Sequence, residues 1–414
     1  MKKFRIAIYS GVIPSTTFIE NLLQGVADAG HSVYLFGRLK KRPIYSGKVP
    51  IYATPTAKWQ VVFFVLWHQF RLRLQSPQHF KQLQEHINNI EIPASQRWRS
   101  WAKYLPVVLH LPDVFHIQWA KATEEWLFLK ELFGVNLILS LRGTHINYSP
   151  VADAVLAASY RYVFPKIDGF HSVSSAIAKK AAKYGATSDR IKVVYSGIEL
   201  LKIRLFEKKS YQVHTTLKLL SVGRFHWIKG YSYALDTIRL LINKGYEIEY
   251  TLIAGEVSEE ILYQIYDLGL QSYVRIIDHL PQAEVFQYMQ EADLLLLPSV
   301  EEGIANVVLE AMAIGLPVLS SDCGGMEEVI ENGVNGMLFQ NRSVAVLAAQ
   351  IIHFLQLDTQ ARQQMAQYAQ NTIQQQFTRA NMIADMLALY EQVLKSKPVL
   401  DENRLRASSA SRLF

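Results

Sequence analysis

Short apolar runs separated by helical segments recur along the chain, and this alternation is the pattern that most limits its fold. Residues 4–10 predict a strand, and residues 18–29 predict a helix. Thr17 and Glu20 have the spacing of a capping box at the start of this helix. A second strand is predicted at residues 31–37. Because a strand–helix–strand unit places its strands side by side in one direction, this opening predicts a parallel sheet.

The same alternation starts again near residue 217. Residues 217–222 and 248–254 predict strands, with a helix at residues 231–244 between them. Further apolar runs predict strands at residues 114–117, 136–141, 169–173, 191–195, 275–277, 294–297 and 318–320. Two such series predict an α/β protein with two Rossmann-like domains and a linker near residues 200–215. Ligands of these sheets bind at the carboxyl ends of the strands, so the site is expected in the cleft between the domains.

Two glutamates flank the start of a predicted helix within residues 298–338, PSVEEGIANVVLEAMAIGLPVLSSDCGGMEEVIENGVNGML. Glu302 precedes the first turn, and Glu310 lies eight residues later in an otherwise apolar run. A carboxylate in such a run usually has a partner or a ligand. The free N–H groups of a helix N-terminus also form an anion site. This segment therefore predicts a site for one extended ligand, the alternative being a surface helix with solvated glutamates.

A second group of charges follows the first strand of the second series, in the sequence SVGRFHWIKGYSYAL. Gly223 precedes Arg224, and Lys229 lies five residues after this arginine. A guanidinium offers a planar fork to phosphate oxygens, and an ammonium offers a compact charge. The pair predicts a phosphate site at the end of the strand, and a solvated basic loop is the alternative.

Together these two segments resemble the retaining GT-B glycosyltransferases of family 4, the glycosyl transferases group 1. The resemblance is carried by Pro298, Ser299, Glu302, Gly303, Glu310, Ala311, Met312, Ala313, Gly315, Pro317, Val318, Asp322, Gly324, Gly325 and Glu328. It implies two Rossmann-like domains facing across a deep cleft and a final helix that crosses back to the first domain. The implied limits are 1–200 for the acceptor-binding domain, 201–379 for the nucleotide-sugar-binding domain, 380–395 for the returning helix and 396–414 for a disordered tail.

The resemblance also implies a reaction, the transfer of a sugar from a nucleotide-diphosphate donor with retained anomeric configuration. Arg224 and Lys229 are then expected to bind the donor diphosphate. Glu310 is expected to bind the ribose hydroxyls, and Glu302 the hydroxyls of the donor sugar. The other expected donor-binding positions are Gly303, Ile304, Ala305 and Asn306, which present backbone N–H groups, together with Gly223 and Gly11.

The acceptor half departs from the family pattern in two places. Members often have a glycine pair after the first strand, where this chain has only Gly11 in the predicted loop. Many members also have a histidine just after the strand at residues 136–141, close to the reacting sugar. Arg142 stands there in this chain, and His145 follows three residues later, so both are candidate catalytic residues. His116, inside an apolar strand, is predicted to be a core residue instead.

Positive charge is concentrated in the first part of the chain. The first 110 residues contain 15 Lys or Arg and four Asp or Glu, whereas the net charge of the whole chain is +7. This asymmetry indicates an anionic partner for the first half. Residues 58–74 and 97–104 add tryptophans to this basic region. Such a composition is typical of a helix in a membrane interface, and a core helix is the alternative.

Composition also narrows the compartment and the chemistry. The only cysteine is Cys323, so no intramolecular disulfide is possible, and we expect it to be a small filler near the donor sugar. No apolar run has the length of a membrane span, and the start does not resemble a signal peptide. We therefore expect a cytoplasmic protein, peripheral on the inner face of the membrane if the basic region binds lipid.

No metal site or cofactor is expected. The 13 aspartates form no Asp-x-Asp pair, and no His/Cys cluster has ligand spacing. Neither G-x-x-x-x-G-K-[ST] nor G-x-G-x-x-G occurs, which disfavours kinase and dinucleotide sites. The expected partners are a UDP- or GDP-linked sugar and a glycan or lipid-linked acceptor. Nucleic acid is not expected, because it explains the basic half but none of the motifs.

Three other functions compete with sugar transfer. A sugar-nucleotide epimerase would change the donor with no acceptor present, and a phosphorylase would need a pyridoxal-bearing lysine. A non-catalytic binding or scaffold subunit is the third, and its only support is the arginine at position 142. The intact Glu302, Glu310, Arg224 and Lys229 favour the transferase over all three.

Overall fold

The computed structural model describes residues 3–43, 45, 49–206, 211–212 and 214–396, which contain two β-sheets. The first sheet consists of β1 (Arg5–Ile13), β2 (Ser32–Leu39), β3 (Ile51–Thr54), β4 (Val114–Ile117), β5 (Asn136–Leu141), β6 (Gly169–Ser172) and β7 (Ile191–Val193). The second consists of β8 (Leu217–Val222), β9 (Ile248–Ile253), β10 (Val274–Ile277), β11 (Leu294–Leu297), β12 (Val318–Ser321) and β13 (Met337–Phe339).

Both sheets are parallel and follow the doubly wound order. The first runs β3-β2-β1-β4-β5-β6-β7 and the second β10-β9-β8-β11-β12-β13. Helices cover both faces of each sheet, which is why central strands such as β5 and β11 are apolar and buried throughout. The direction of winding reverses between β1 and β4 and between β8 and β11, so a cleft is expected beyond these four strands. The predicted α/β fold with two Rossmann-like sheets is confirmed.

Helices connect the strands of both sheets. The predicted helices at residues 18–29 and 231–244 are α1 and α11, and the first part contains one large addition. Those of the first part are α1 (Thr17–Asp28), α2 (Lys58–Gln75), α3 (Pro77–Asn89), α4 (Ala94–Leu109), α5 (Leu127–Phe133), α6 (Gly143–Asn147), α7 (Ser149–Ala152), α8 (Ala154–Val163), α9 (Ser175–Ala182) and α10 (Leu200–Ile203). Those of the second part are α11 (Tyr231–Asn243), α12 (Glu259–Asp267), α13 (Gln282–Glu291), α14 (Asn306–Ile314), α15 (Val344–Gln356), α16 (Thr359–Gln376) and α17 (Arg379–Lys395). The addition is the group α2–α4, inserted between β3 and β4.

The first strand is longer than the sequence indicates. Residues 11–13, predicted as a loop, pair with residues 37–39 of β2. A register shift between Tyr9 and Gly11 marks a bulge, and Gly11 has a φ of +77°. Glycine adopts this left-handed conformation without steric cost, so the chain absorbs an irregular residue and the ladder continues. Gly11 therefore lies within β1, and the predicted loop begins only after Ile13.

The final helix returns to the first sheet, as the resemblance implies. Met382, Met386 and Leu389 of α17 are buried in one cluster with residues of α1 and β1. A Cβ atom on Gly25 of α1 would lie 2.3 Å from Cδ1 of Ile383, so the two helices approach at a position without a side chain. This close contact ties the end of the chain to the first domain. The predicted tail at 396–414 lies outside the described residues, except for Ser396.

Candidate functional site

Lys229 and Glu302 meet at the end of the second sheet. The ammonium lies 2.7 Å from Oε1 of Glu302, and the hydroxyl of Ser299 donates to the same oxygen at 2.9 Å. Both charged side chains are largely buried, with exposed fractions of 19% and 15%. The lysine follows β8 and the glutamate follows β11, the two strands between which the winding reverses. The tertiary structure thus joins residues that are 73 positions apart in the sequence.

Tight backbone packing holds this pair in place. Gly230 has a φ of +66°, and a Cβ there would lie 1.9 Å from the carbonyl oxygen of Pro298. The hydroxyl of Tyr231 donates to the carbonyl of Gly223 at 2.7 Å. These contacts fix the loop that carries Arg224, whose side chain extends into solvent. An exposed guanidinium beside a fixed loop is free to bind a ligand.

Glu310 lies in the second turn of α14 and faces a cavity between the two domains. Its Oε1 accepts a hydrogen bond from Nε2 of Gln282 at 2.6 Å. Desolvation raises the pKa of the carboxyl to about 7, and the bond from Gln282 opposes this shift. Thr17, Phe18 and Asn21 of α1 line the same cavity from the first domain. The carboxyl is therefore protonated more readily than that of an exposed glutamate.

The segment from Gly303 to Asn306 leads into α14. Ala305 is the N-cap residue, and its side chain makes no capping hydrogen bond. Across the cleft, the backbone nitrogen of Gly143 lies 3.8 Å from where a Cβ of Gly303 would be. The N–H of Gly325 donates to the carbonyl of Gly303 at 2.9 Å. The start of this helix is thus held at the domain boundary, where its N–H groups can bind an anion.

Glu328 links the two domains directly. Its carboxylate accepts hydrogen bonds from the backbone N–H groups of Ser175 and Ala176 at 2.8 and 2.9 Å. The hydroxyl of Tyr195 donates to it at 3.1 Å. Since these two N–H groups open α9, a side chain of the second domain caps a helix of the first. This motif glutamate therefore has a structural contact that the sequence does not reveal.

Two further contacts cross the cleft beside Glu302. Lys180 lies 2.8 Å from Oε2 of Glu301. The side-chain amide of Asn147 donates to the carbonyl of Glu302 at 3.3 Å. The two sheets are thus held in contact around the predicted site.

Arg142 lies at the end of β5 and points toward α1. Its guanidinium is 3.8 Å from the ring centroid of Phe18, and Nη2 donates to Oε1 of Gln118 at 2.9 Å. Desolvation lowers the pKa of the guanidinium to about 9. The sequence did not single out Gln118, although it follows the strand β4 directly, where site residues of such sheets occur.

The histidines of this region are neutral. Desolvation first, then Lys121 and Arg142, lowers the pKa of His145 to about 4, and its ring lies 5.4 Å from that of Trp119. His116 is fully buried and contacts the hydroxyls of Tyr390 at 2.8 Å and Ser140 at 2.9 Å. The prediction that His116 is a core residue is confirmed. His145 lies in α6 with an unpaired Nδ1 among the described residues.

Helix α2 buries one stripe and exposes another. Val61, Val65 and Leu72 are buried against the first domain. The exposed side chains include Trp59, Phe63, Leu66, Trp67, Phe70 and Leu74, each more than half exposed. The core interpretation therefore fails for Trp59, Phe63, Trp67 and Phe70, whereas Phe64 packs partly buried against the core of the first domain. Within the described part of the chain, no helix is long and apolar enough to cross a membrane.

Cys323 lies in the turn after β12 and is buried. Desolvation raises the pKa of its thiol to about 12. Among the residues that the structure describes, no group of three His, Cys, Asp or Glu side chains could hold a metal ion.

Two parallel sheets of doubly wound order, with charged residues at the cleft and a returning helix, define a GT-B fold. The model of the family described as "Glycosyl transferases group 1" matches residues 203–372. The model of a second family, described as "Glycosyl transferase 4-like domain", matches residues 15–197. The chain belongs to the group 1 glycosyltransferase family.

Two curated relatives have names that refer to amylovoran and colanic acid biosynthesis. The chain is 36% identical to the amylovoran biosynthesis glycosyltransferase AmsK of Erwinia amylovora, over 43% of this chain and 45% of that protein. It is 26% identical to WcaL of Escherichia coli, described as a putative colanic acid biosynthesis glycosyltransferase, over 56% of this chain and 58% of that protein. The matched regions thus span about half the length of these relatives.

Solved structures share the fold at low sequence identity. Sucrose-phosphate synthase from Thermosynechococcus elongatus superposes with a TM-score of 0.72 at 15% identity, covering 95% of this chain and 99% of that one. HepE of Anabaena, solved with UDP and glucose, superposes with a TM-score of 0.66 at 17% identity, covering 93% and 98%. At these identities the comparisons support the fold alone.

Proposed function

We propose that this protein is a retaining glycosyltransferase that moves a sugar from a UDP- or GDP-linked donor to a glycan or lipid-linked acceptor. The observation that carries the proposal is the group formed by Lys229, Glu302 and Glu310 beside the start of α14, facing the first domain. A cation for phosphate and two carboxylates for hydroxyls suit a nucleotide sugar lying along this cleft. The names of the relatives in amylovoran and colanic acid synthesis favour a role in polysaccharide or cell-surface glycan synthesis.

In the proposed reaction the acceptor hydroxyl attacks the anomeric carbon from the face that the diphosphate leaves. The bond from this carbon to the diphosphate oxygen breaks, the glycosidic bond forms, and the acceptor proton passes to the leaving phosphate. Negative charge accumulates on the diphosphate in the transition state. Fixed cations lower the barrier at that point, a role that we assign to Arg224 and Lys229. Closure of the two domains would exclude water and limit hydrolysis of the donor.

Lys229 and Glu302 neutralise each other at 2.7 Å. We infer that the donor exchanges these partners, so that the ammonium turns to the diphosphate and the carboxylate accepts the sugar hydroxyls. The exchange keeps both charges paired at every stage. It therefore avoids the cost of leaving either charge desolvated and alone.

Alanine substitutions of Arg224 and Lys229 test the phosphate assignment. We expect each to lower turnover strongly. Arg224→Ala should melt close to the wild type, whereas Lys229→Ala should melt lower, because it leaves the largely buried Glu302 carboxylate without its cation. Lys244→Ala, which removes an exposed lysine at the end of α11, is the matched control. Unchanged turnover in both Arg224→Ala and Lys229→Ala would remove the basis of the proposal.

The nucleotide can be identified by thermal stability with UDP, GDP, ADP and CMP. A ligand that binds the native state raises the melting temperature by mass action. We expect a rise with one nucleotide in the wild type and none in Glu310→Ala. If no nucleotide raises the melting temperature, the scaffold function is favoured. If the protein alters the sugar of the donor with no acceptor present, the epimerase function is favoured.

The exposed stripe of α2 adds a proposed partner, an anionic membrane surface. Trp59, Phe63 and Trp67 are 66%, 69% and 59% exposed, and basic residues lie beside them on α2 and α4. Aromatic and basic side chains together suit the headgroup layer of a bilayer. This surface would bring the enzyme to a lipid-linked acceptor.

Flotation with phosphatidylglycerol-containing liposomes at low salt tests this partner. We expect the wild type to float and Phe63→Glu with Trp67→Glu to remain in solution. Tyr263→Glu, at a 70% exposed aromatic residue of the second domain, is the matched control and should float. Failure of the wild type to float at low salt would exclude an anionic membrane surface as a partner.

A further inference from the structure

Two neighbouring hydrogen-bond donors at the end of the first sheet have no acceptor. Arg142 Nε and Gln118 Nε2 are both buried and unpaired among the described residues. Nη2 of the arginine donates a hydrogen bond to Oε1 of the glutamine, and the hydroxyl of Ser140 donates to the same oxygen at 3.3 Å. Because an unmade hydrogen bond in a buried site is costly, two adjacent orphan donors indicate an acceptor that is supplied from outside.

The missing acceptor must also balance a charge. Among the described residues, no carboxylate oxygen lies within 4.0 Å of the Arg142 guanidinium. Desolvation is the main cause that lowers the pKa of His145 and His171, and the Arg142 guanidinium lowers both further. Buried charges are normally paired, and an isolated one is strongly unfavourable. A carboxylate fits this site best, since it brings one negative charge and two acceptor oxygens, one for each unpaired donor.

The position of Arg142 connects it to the donor cavity. Its guanidinium stacks on Phe18, and Phe18 lines the same cavity as Glu310. The next residue, Gly143, lies against Gly303 at the start of α14. Arg142 itself lines a smaller adjoining cavity, which shares Phe18 with the first. A group of the donor that reaches from the start of α14 into this adjoining cavity would meet the guanidinium.

We infer that the sugar of the nucleotide donor carries a carboxylate, as in a nucleotide-linked uronic acid, and that Arg142 and Gln118 bind this group. The inference rests on the proposed function and names its substrate class. The donor diphosphate could supply the same negative charge. Arg224 and Lys229, which are assigned to the diphosphate, belong to the opposite sheet, and this leaves Arg142 for the sugar.

Calorimetric titration distinguishes these two sources of negative charge. The probes are UDP, UDP-glucose and UDP-glucuronate, with GDP, GDP-mannose and GDP-mannuronate as the second series. We expect the wild type to bind one uronate at least about tenfold more tightly than the matching neutral sugar, since charge-assisted hydrogen bonds have this magnitude. In Arg142→Gln the ratio of the affinities for the uronate and the neutral sugar should fall to about one. In Arg142→Lys this preference for the uronate should be partly kept.

Each outcome decides between the assignments. Equal affinities of the wild type for uronate and neutral sugar overturn the inference, and this comparison needs no variant to fold. If Arg142→Gln weakens the binding of the nucleoside diphosphate as much as that of the uronate, the guanidinium binds the diphosphate. This result also overturns the inference. Binding of none of the six probes would instead contradict the proposed function.

Discussion

Glu310→Gln provides the sharpest test of the site, because this change should stabilise the protein while it weakens ligand binding. Desolvation raises the pKa of the Glu310 carboxyl from 4.5 to about 7. The native state therefore holds a proton that the unfolded chain releases between these two values. The contribution of this carboxyl to the free energy of unfolding is fully present below pH 4.5, and it is lost as the pH rises through about 7.

The pKa of Glu310 differs between the unfolded and the native state, 4.5 against about 7. At about 1.4 kcal/mol per pH unit, this difference corresponds to about 3 kcal/mol of unfolding free energy. Glutamine has a similar shape, stays neutral at every pH and can keep the hydrogen bond with Gln282. We expect the two proteins to be similarly stable at pH 5. At pH 8.5 the variant should melt roughly 6–12 °C higher, from the usual relation between stability and melting temperature in domains of this size.

Melting temperatures at several values between pH 5 and 8.5 measure the effect, taken as variant minus wild type. Histidines and other titrating groups occur in both proteins and cancel in this difference. Glu327→Gln, the same change at an exposed position, is the control and should give a flat difference. In parallel, the nucleotide that stabilises the wild type should bind Glu310→Gln about tenfold more weakly. A flat difference for Glu310→Gln as well would refute the reasoning about its desolvation.

Three further predictions concern the contacts around the cleft. Gly230→Ala should lower the free energy of unfolding by about 2 kcal/mol or more by denaturant titration, because its Cβ would clash with Pro298; Gly245→Ala, at φ +86° with open space, should cost only about 1 kcal/mol. Glu328→Ala removes the cap that crosses the cleft, so small-angle scattering should show a larger radius of gyration; an unchanged radius would mean that other contacts suffice. The thiol of Cys323 should react with Ellman's reagent at pH 8 only after unfolding, because burial raises its pKa to about 12; rapid labelling of the native protein would contradict this.

The sequence predicted eleven of the thirteen strands that the structure describes, and it missed β3 and β13. Runs such as 136–141 and 294–297 coincide with strands β5 and β11, since strands covered on both faces leave a clear signal. The short strand Ile51–Thr54 was missed, because an edge strand that is only half-buried lacks such a run. The motif at residues 298–338 also placed Glu302 and Glu310 correctly around the start of a helix.

The sequence by itself thus determined the fold class and predicted the charged residues of the proposed donor site, because these depend on periodicity and on spacing within one segment. Only the tertiary structure decided which distant groups meet. It paired Lys229 with Glu302, placed the carboxylate of Glu328 on a helix of the other domain and left Arg142 with Gln118 and no acid. Such contacts join residues on different strands and domains, and their distances follow from how the elements pack rather than from the order of residues in the chain.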